Sequence, residues 1–179
     1  YFANFSYQPG EIAPAPAPAP AELPAGLVHA WAVSAAMPEA DAFAAAARNR
    51  PGALAWTRLE VETNGIANLA RIAVRSDQQP TALARVTIHS DRARTVRMRF
   101  GFSDRVRLYL NGALLYDGDD SQASRDYRFL GTVGLYDAAY LPLRRGDNEI
   151  VLAVSEAIGG WAAKAAFDDL TGLFIATPR

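Results

Sequence analysis

No cysteine occurs in the 179-residue sequence, which excludes disulfide scaffolds, thiolate nucleophiles and zinc sites of the cysteine type. Lysine is nearly absent too: Lys164 stands alone among 18 basic residues, the others being arginine. Together with the abundant alanine, this reads as genome bias, with a functional origin as the weaker alternative. Histidine is confined to His29 and His89, so general bases that titrate near neutral pH are few. Acids and bases nearly cancel, 19 against 18, for a formal net charge of -1; that balance speaks against a nucleic-acid partner held by a general positive field. No stretch approaches the roughly 20 apolar residues that span a bilayer, and no leader with a basic start and apolar middle is present. No membrane span is therefore expected. The first residue is Tyr1 rather than methionine, and the expectation is a fragment or processed product of something longer, from which a signal could have been removed.

What is present is ordinary for a globular chain. Half of the residues are hydrophobic and 21% are charged, and a chain of roughly 150 residues or more can bury one substantial core. At the start, Tyr1, Ala3, Phe5 and Tyr7 alternate with Phe2, Asn4, Ser6 and Gln8, the period of a strand. Residues 1–8 are expected to be the closing strand of a preceding β-domain. Pro9-Gly10 stops the alternation, and the Ala-Pro repeat over 13–20 follows; each proline removes a donor and favours extended polyproline geometry, so 9–26 reads as a semi-rigid spacer. Residues 27–179 then form the folded module. Whether 1–8 instead adds to that module's own sheet stays open.

Within the module, 27–34 reads as a strand, and Pro38 opens a helix through Arg48 with Glu39 and Asp41 well placed near its N-terminus. Arg50-Pro51-Gly52 is expected to end it. Strands are expected over 54–62, 81–89, 95–102, 105–110 and 149–155, separated by Asn, Asp, Gly and Pro. Val96, Met98, Phe100 and Phe102 alternate with Arg97, Arg99 and Gly101, and Val106, Leu108 and Leu110 repeat the pattern against Arg105, Arg107 and Tyr109. The short Ser103-Asp104 connection predicts that these two strands are antiparallel neighbours. Asn111-Gly112 is a strong hairpin signal because both residues tolerate positive φ. The run from Glu149 to Val154 is apolar on both faces and suits the middle of a layered structure. The fold class expected is all-β, an antiparallel jelly-roll-like β-sandwich with a short helical insertion.

Residues 81–168 resemble galactose-binding-domain-like jelly-roll modules. The matching stretches are Arg107-Leu108-Tyr109-Leu110-Asn111-Gly112, Tyr140-Leu141-Pro142-Leu143, Arg144-Arg145-Gly146-Asp147-Asn148-Glu149-Ile150 and Gly159-Gly160-Trp161. This resemblance implies a non-catalytic sugar-binding or supporting module of a larger secreted or periplasmic, carbohydrate-related protein. The opening Tyr1-Phe2-Ala3-Asn4-Phe5-Ser6-Tyr7 is similar to the last strand of a concanavalin-like or laminin-G-like sandwich, which would make that the preceding domain.

Candidate site residues follow from side-chain chemistry. Sugar recognition pairs an aromatic platform with a few orienting polar groups, so Trp161, after Gly159-Gly160, and Tyr136-Asp137, on a Gly134-bearing loop, are candidates for ligand binding. Core packing competes for Trp161, and Trp31 and Trp56 read as core. Arg97 and Arg99, with Arg105 and Arg107, form a stripe able to recognise an acidic glycan or a partner's carboxylates; a solvated or locally paired face is the alternative. Asp117-Gly118-Asp119-Asp120 is the densest acidic cluster, and oxygen ligands on a flexible loop suit a structural calcium. Arg128 stands where an EF-hand would need glutamate, and Arg125 and Arg128 offer neutralisation without a metal. No catalytic residue is expected. His89-Ser90-Asp91 cannot form a relay because neighbours on an extended chain point in opposite directions, and Ser103 lacks a nucleophile elbow and reads as a hairpin turn. Asp104, Asp117, Asp119, Asp120, Asp126, Asp137 and Glu156 are glycosidase carboxylates by type alone, with no spacing that selects a pair. The leading expectation is glycan binding without catalysis; the alternative is a structural or domain-interaction sandwich without a small-molecule ligand.

Overall fold

The computed structural model describes residues 22–48, 54–121 and 132–178. Among them, in chain order, are β1 (Ala30–Val33), α1 (Glu39–Ala46), β2 (Thr57–Glu60), β3 (Ala67–Asn68), a 3-10 turn (Leu69–Arg71), β4 (Thr81–Ser90), β5 (Arg94–Ser103), β6 (Arg105–Leu110), β7 (Ala113–Asp119), β8 (Asp137–Leu143), β9 (Gly146–Ser155), β10 (Ala162–Phe167) and β11 (Leu173–Ala176). The larger antiparallel sheet runs β2-β1-β4-β9-β6-β7, with β11 also on β4; the smaller runs β3-β10-β5-β8. β1 and β11 share one edge of β4, β1 opposite Ala84 and Arg85 and β11 opposite Thr87 to Ser90. The protein is thus an all-β antiparallel sandwich, with one short α-helix among the described residues, as its alternation predicts.

The sheets face each other across one core. Met98, Phe100 and Phe102 of β5 meet Leu108 of β6 and Ile150, Leu152 and Val154 of β9 there. The opposite face of β9, with Val151 and Ala153, is buried as well, because α1 lays Ala42 and Ala46 over it beside Leu83 and Tyr109. This explains a strand apolar on both faces: one face belongs to the sandwich and the other to the helix. Glu39 and Asp41 lie in the first turn of α1, where carboxylates favour the helix dipole. Its predicted terminator, Arg50-Pro51-Gly52, lies outside the described residues, as do the expected strand over 1–8 and nearly all of the expected spacer.

The hairpin at Asn111-Gly112 forms as predicted, with φ of 51° and 84°, joining β6 to β7. The predicted neighbour relation between β5 and β6 does not hold. β6 pairs with β9 and β7, while β5 pairs with β10 and β8, so Ser103-Asp104 is a crossover between sheets rather than a hairpin turn. Alternation determines which face of a strand is apolar; it does not determine the hydrogen-bonding partner. Two strands with matching inward faces satisfy it equally well side by side or across the core.

Candidate functional site

With Met98, Phe100 and Phe102 in the core, strand alternation turns Arg97, Arg99, Gly101 and Ser103 to the outer face of the smaller sheet. Register sets Arg97 opposite Tyr140, and Lys164 and Ala162 opposite Gly101 and Ser103. Two loops close over this face. The segment between β2 and β3 turns back on itself, Glu62 N–H donating to Ile66 at 2.8 Å, and Lys164 Nζ donates to the Asn64 carbonyl at 2.6 Å. On the other side Gly134 lies so close to Gly101 that a Cβ at Gly101 would run into the Gly134 carbonyl oxygen.

Between the loops is a cleft of about 210 Å³ lined by Glu62, Ile66, Asn68, Ser103, Val133, Gly160, Trp161 and Ala162. Asn68 Nδ2 donates to Glu62 Oε1 at 3.2 Å, and Ser103 Oγ donates to Asp104 Oδ1 at 3.1 Å. The cleft therefore sets a carboxylate, an amide and a hydroxyl against Val133 and Ile66. Sequence reasoning missed Glu62 and Asn68, which flank the 63–65 turn with no motif, Asn68 in the two-residue β3, and assigned Ser103 to a turn.

The expected ligand-binding residues are dispersed. Trp161 is only 3% exposed, and its Nε1–H donates to the Val154 carbonyl at 3.0 Å; it belongs to the core while also bordering the cleft. Tyr136 is half exposed, its ring over Gly134, and Asp137 accepts from the Tyr116 hydroxyl at 2.9 Å. Arg97 and Arg99 hold Asp168 between them at 3.0 and 2.6 Å. The hydrogen bond from Arg99, reinforced by the charges of both guanidinium groups, keeps the Asp168 carboxyl below its usual pKa range. The arginine stripe is divided between the sheets: on the larger one Arg105 pairs with Glu39 at 2.9 Å and Arg107 with Asp117 at 2.8 Å. Arg107 also stacks over Phe43, 4.0 Å from the ring centroid.

The acidic cluster is no flexible loop. Asp117 and Asp119 belong to β7, where Asp117 is the ion-pair partner of Arg107. Asp119 Oδ1 accepts from the Ser121 amide at 2.8 Å, and the Asp120 amide donates to the Asp104 carbonyl at 2.7 Å. Among the described residues no three His, Asp or Glu side chains converge on a metal position. Arg125 and Arg128 lie outside the described residues. His89 pairs with Asp147 at 2.8 Å while Ser90 donates to the Arg92 carbonyl, so these neighbours make no relay. Asp126 lies outside the described residues; among those described, the candidate carboxyls brought together are Asp104 and Glu156, both buried, and neither lines the cleft.

No protein-family model matches the sequence, and no curated protein is significantly similar to it. Among solved structures, the chain is similar to a family 35 carbohydrate binding module from an environmental isolate, at 17% identity and a TM-score of 0.43 over 59% of this chain and 78% of that one. It is also similar to an anti-sigma factor domain-containing protein from Clostridium clariflavum, at 14% identity and a TM-score of 0.39 over 58% of this chain and 33% of the other. A third is a beta-glucuronidase from Ruminococcus gnavus, at 9% identity and a TM-score of 0.48 over 79% of this chain and 28% of the enzyme. The chain thus matches about a third or less of the length of the latter two. No helix among the described residues is long and apolar enough to cross a membrane.

Proposed function

We propose that this chain is a non-catalytic carbohydrate-binding module whose glycan contact is the cleft on the outer face of the smaller sheet. The observation that carries this reading is the lining of that cleft, where Glu62, Asn68 and Ser103 face Val133 and Ile66. Sugars present hydroxyls that need directional partners and C–H faces that pack on apolar groups, and this lining offers both. A volume of about 210 Å³ suits a single sugar unit better than a long chain segment. Tyr136 and Tyr140, 50% and 69% exposed, extend the apolar surface on the same side of the sheet. Binding rather than hydrolysis is the reading, since glycosidases set two carboxyl groups across the bond and, among the described residues, Glu62 is the one carboxylate lining the cleft. We place the module in a larger secreted or periplasmic protein, where polymeric glycans are met.

The competing reading, a supporting sandwich without a small-molecule ligand, draws on the burial of Trp161. A glycan array covering neutral and uronic-acid polymers separates the two, followed by calorimetry on any hit. Glycan binding by the wild type that falls about tenfold or more in Glu62→Ala and Asn68→Ala supports the cleft. No binding by the wild type, or binding that both variants retain, sinks this reading and leaves the supporting role.

A further inference from the structure

Glu156, at the end of β9, is only 4% exposed, and neither of its carboxyl oxygens has a hydrogen-bond partner among the described residues. An ionised carboxylate in such a place is costly, and such groups keep their proton instead. The charged neighbours relieve it only in part, through Arg75. Asp104, at the joint between β5 and β6, is itself 8% exposed and disfavours a second negative charge beside it. Arg75, before β4, donates through Nε to the Glu156 backbone carbonyl at 2.9 Å and reaches Asp77 through Nη2 at 3.4 Å. From α1 and β6, Glu39 and Arg105 pair with each other at 2.9 Å, and Glu39 accepts from Ser155 Oγ at 2.9 Å. Asp120, after β7, sends its amide to the Asp104 carbonyl.

The segment over 156–160 is fastened at its start by Asp104, whose Oδ2 accepts from the amides of Ala157 and Ile158 at 2.8 and 3.1 Å. Beyond that grip Ile158 is 82% exposed and Gly159 has a φ of 117°. The segment then delivers Gly160 and Trp161 to the wall of the cleft. We infer that Glu156 is a proton-operated latch: as a neutral acid it leaves Asp104 free to hold this segment, and as a carboxylate it repels Asp104 and loosens one wall of the cleft. The latch rests on these contacts alone and holds whether or not the cleft takes a glycan. Burial first, then Asp104, raises the Glu156 pKa from 4.5 to about 7 against the opposing effect of Arg75. A carboxyl raised on folding stabilises most below its unfolded value of 4.5 and loses that contribution as pH climbs through about 7.

The test follows thermal unfolding and amide exchange of the wild type and Glu156→Gln with pH, in chelator and in millimolar calcium. The wild type should lose roughly 5 °C or more in Tm between about pH 5 and about pH 8. Protection of the Ala157 and Ile158 amides, corrected for intrinsic rates, should fall on the order of tenfold over that range. Glu156→Gln, a neutral isostere, should flatten both dependences. Retention of the pH dependence in Glu156→Gln overturns the latch, as does amide protection in the wild type that ignores pH. A calcium-dependent rise in wild-type Tm at high pH overturns it too, because the pocket is then a cation site. Should the variant fail to fold, a carbon-13 titration of the wild-type Glu156 carboxyl decides: a midpoint near 7 supports the latch and one near 4.5 refutes it.

Discussion

Asn148 is fully buried and uses its whole side-chain capacity. Its Oδ1 accepts from the Arg144 amide and from Asn111 Nδ2, and its Nδ2 donates to the Arg144 and Gly146 carbonyls, all within 3.0 Å. Asn111 Oδ1 in turn accepts from the Glu149 amide, so the tip of the β6–β7 hairpin is tied to the turn before β9. Removing such a side chain strands several buried groups at once. Asn148→Ala is expected to lower stability by about 2 to 4 kcal/mol in urea titration, and Asn148→Asp to do no better, because it turns an acceptor toward two carbonyls. The motif was visible as Gly-Asp-Asn-Glu beside Asn-Gly, but its role as one network was not, since Asn111 and Asn148 are distant in sequence. Gly101 makes a second test. A methyl there meets the Gly134 carbonyl, so Gly101→Ala should cost about 1 to 3 kcal/mol and weaken any glycan binding through displacement of the loop that carries Val133.

The elements were legible where alternation was clean and obscure where composition hid it. β4, β5 and β6 are rich in branched and aromatic residues and were expected close to their observed bounds, while β9, expected over 149–155, begins three residues earlier at Gly146. β10 reads Ala-Ala-Lys-Ala-Ala-Phe, with no branched residue, and β8 contains Pro142, which the edge of a sheet tolerates because one side of the strand needs no ladder partner. β7 ends in Asp-Gly-Asp and imitates a turn; its carboxylates are exposed on an edge, where charge guards against further pairing. The helix was expected, but not its task. Ala42 and Ala46 are fully buried against β9, with no room for a larger group, so Ala42→Leu is expected to destabilise by about 1 to 3 kcal/mol through overpacking. An equal change at exposed Ala44 should be nearly silent, and thermal melts of the two variants check the helix as a cover rather than a decoration.

For the molecule as a whole, Asp168 and Glu156 act on pH stability in opposite senses. The arginines hold the Asp168 carboxyl below the unfolded value of 3.8, so its contribution is present above that value and is lost as pH falls through the folded one. Asp168→Asn should therefore flatten the acid limb of a Tm-against-pH curve and leave the neutral limb, governed by Glu156, unchanged. The sequence by itself determined the class of fold, the Asn-Gly hairpin, the doubly buried central strand and the scarcity of catalytic groups, because alternation, turn chemistry and composition are local properties. Only the tertiary structure decided that β5 and β6 face each other across the core, that the arginine stripe is split between two sheets, that Trp161 is packed inside, and that Glu62, Asn68 and Ser103 share a cleft. Those outcomes depend on which strands exchange hydrogen bonds and on how loops distant in sequence close over a common face, and residue order alone carries no signal for either.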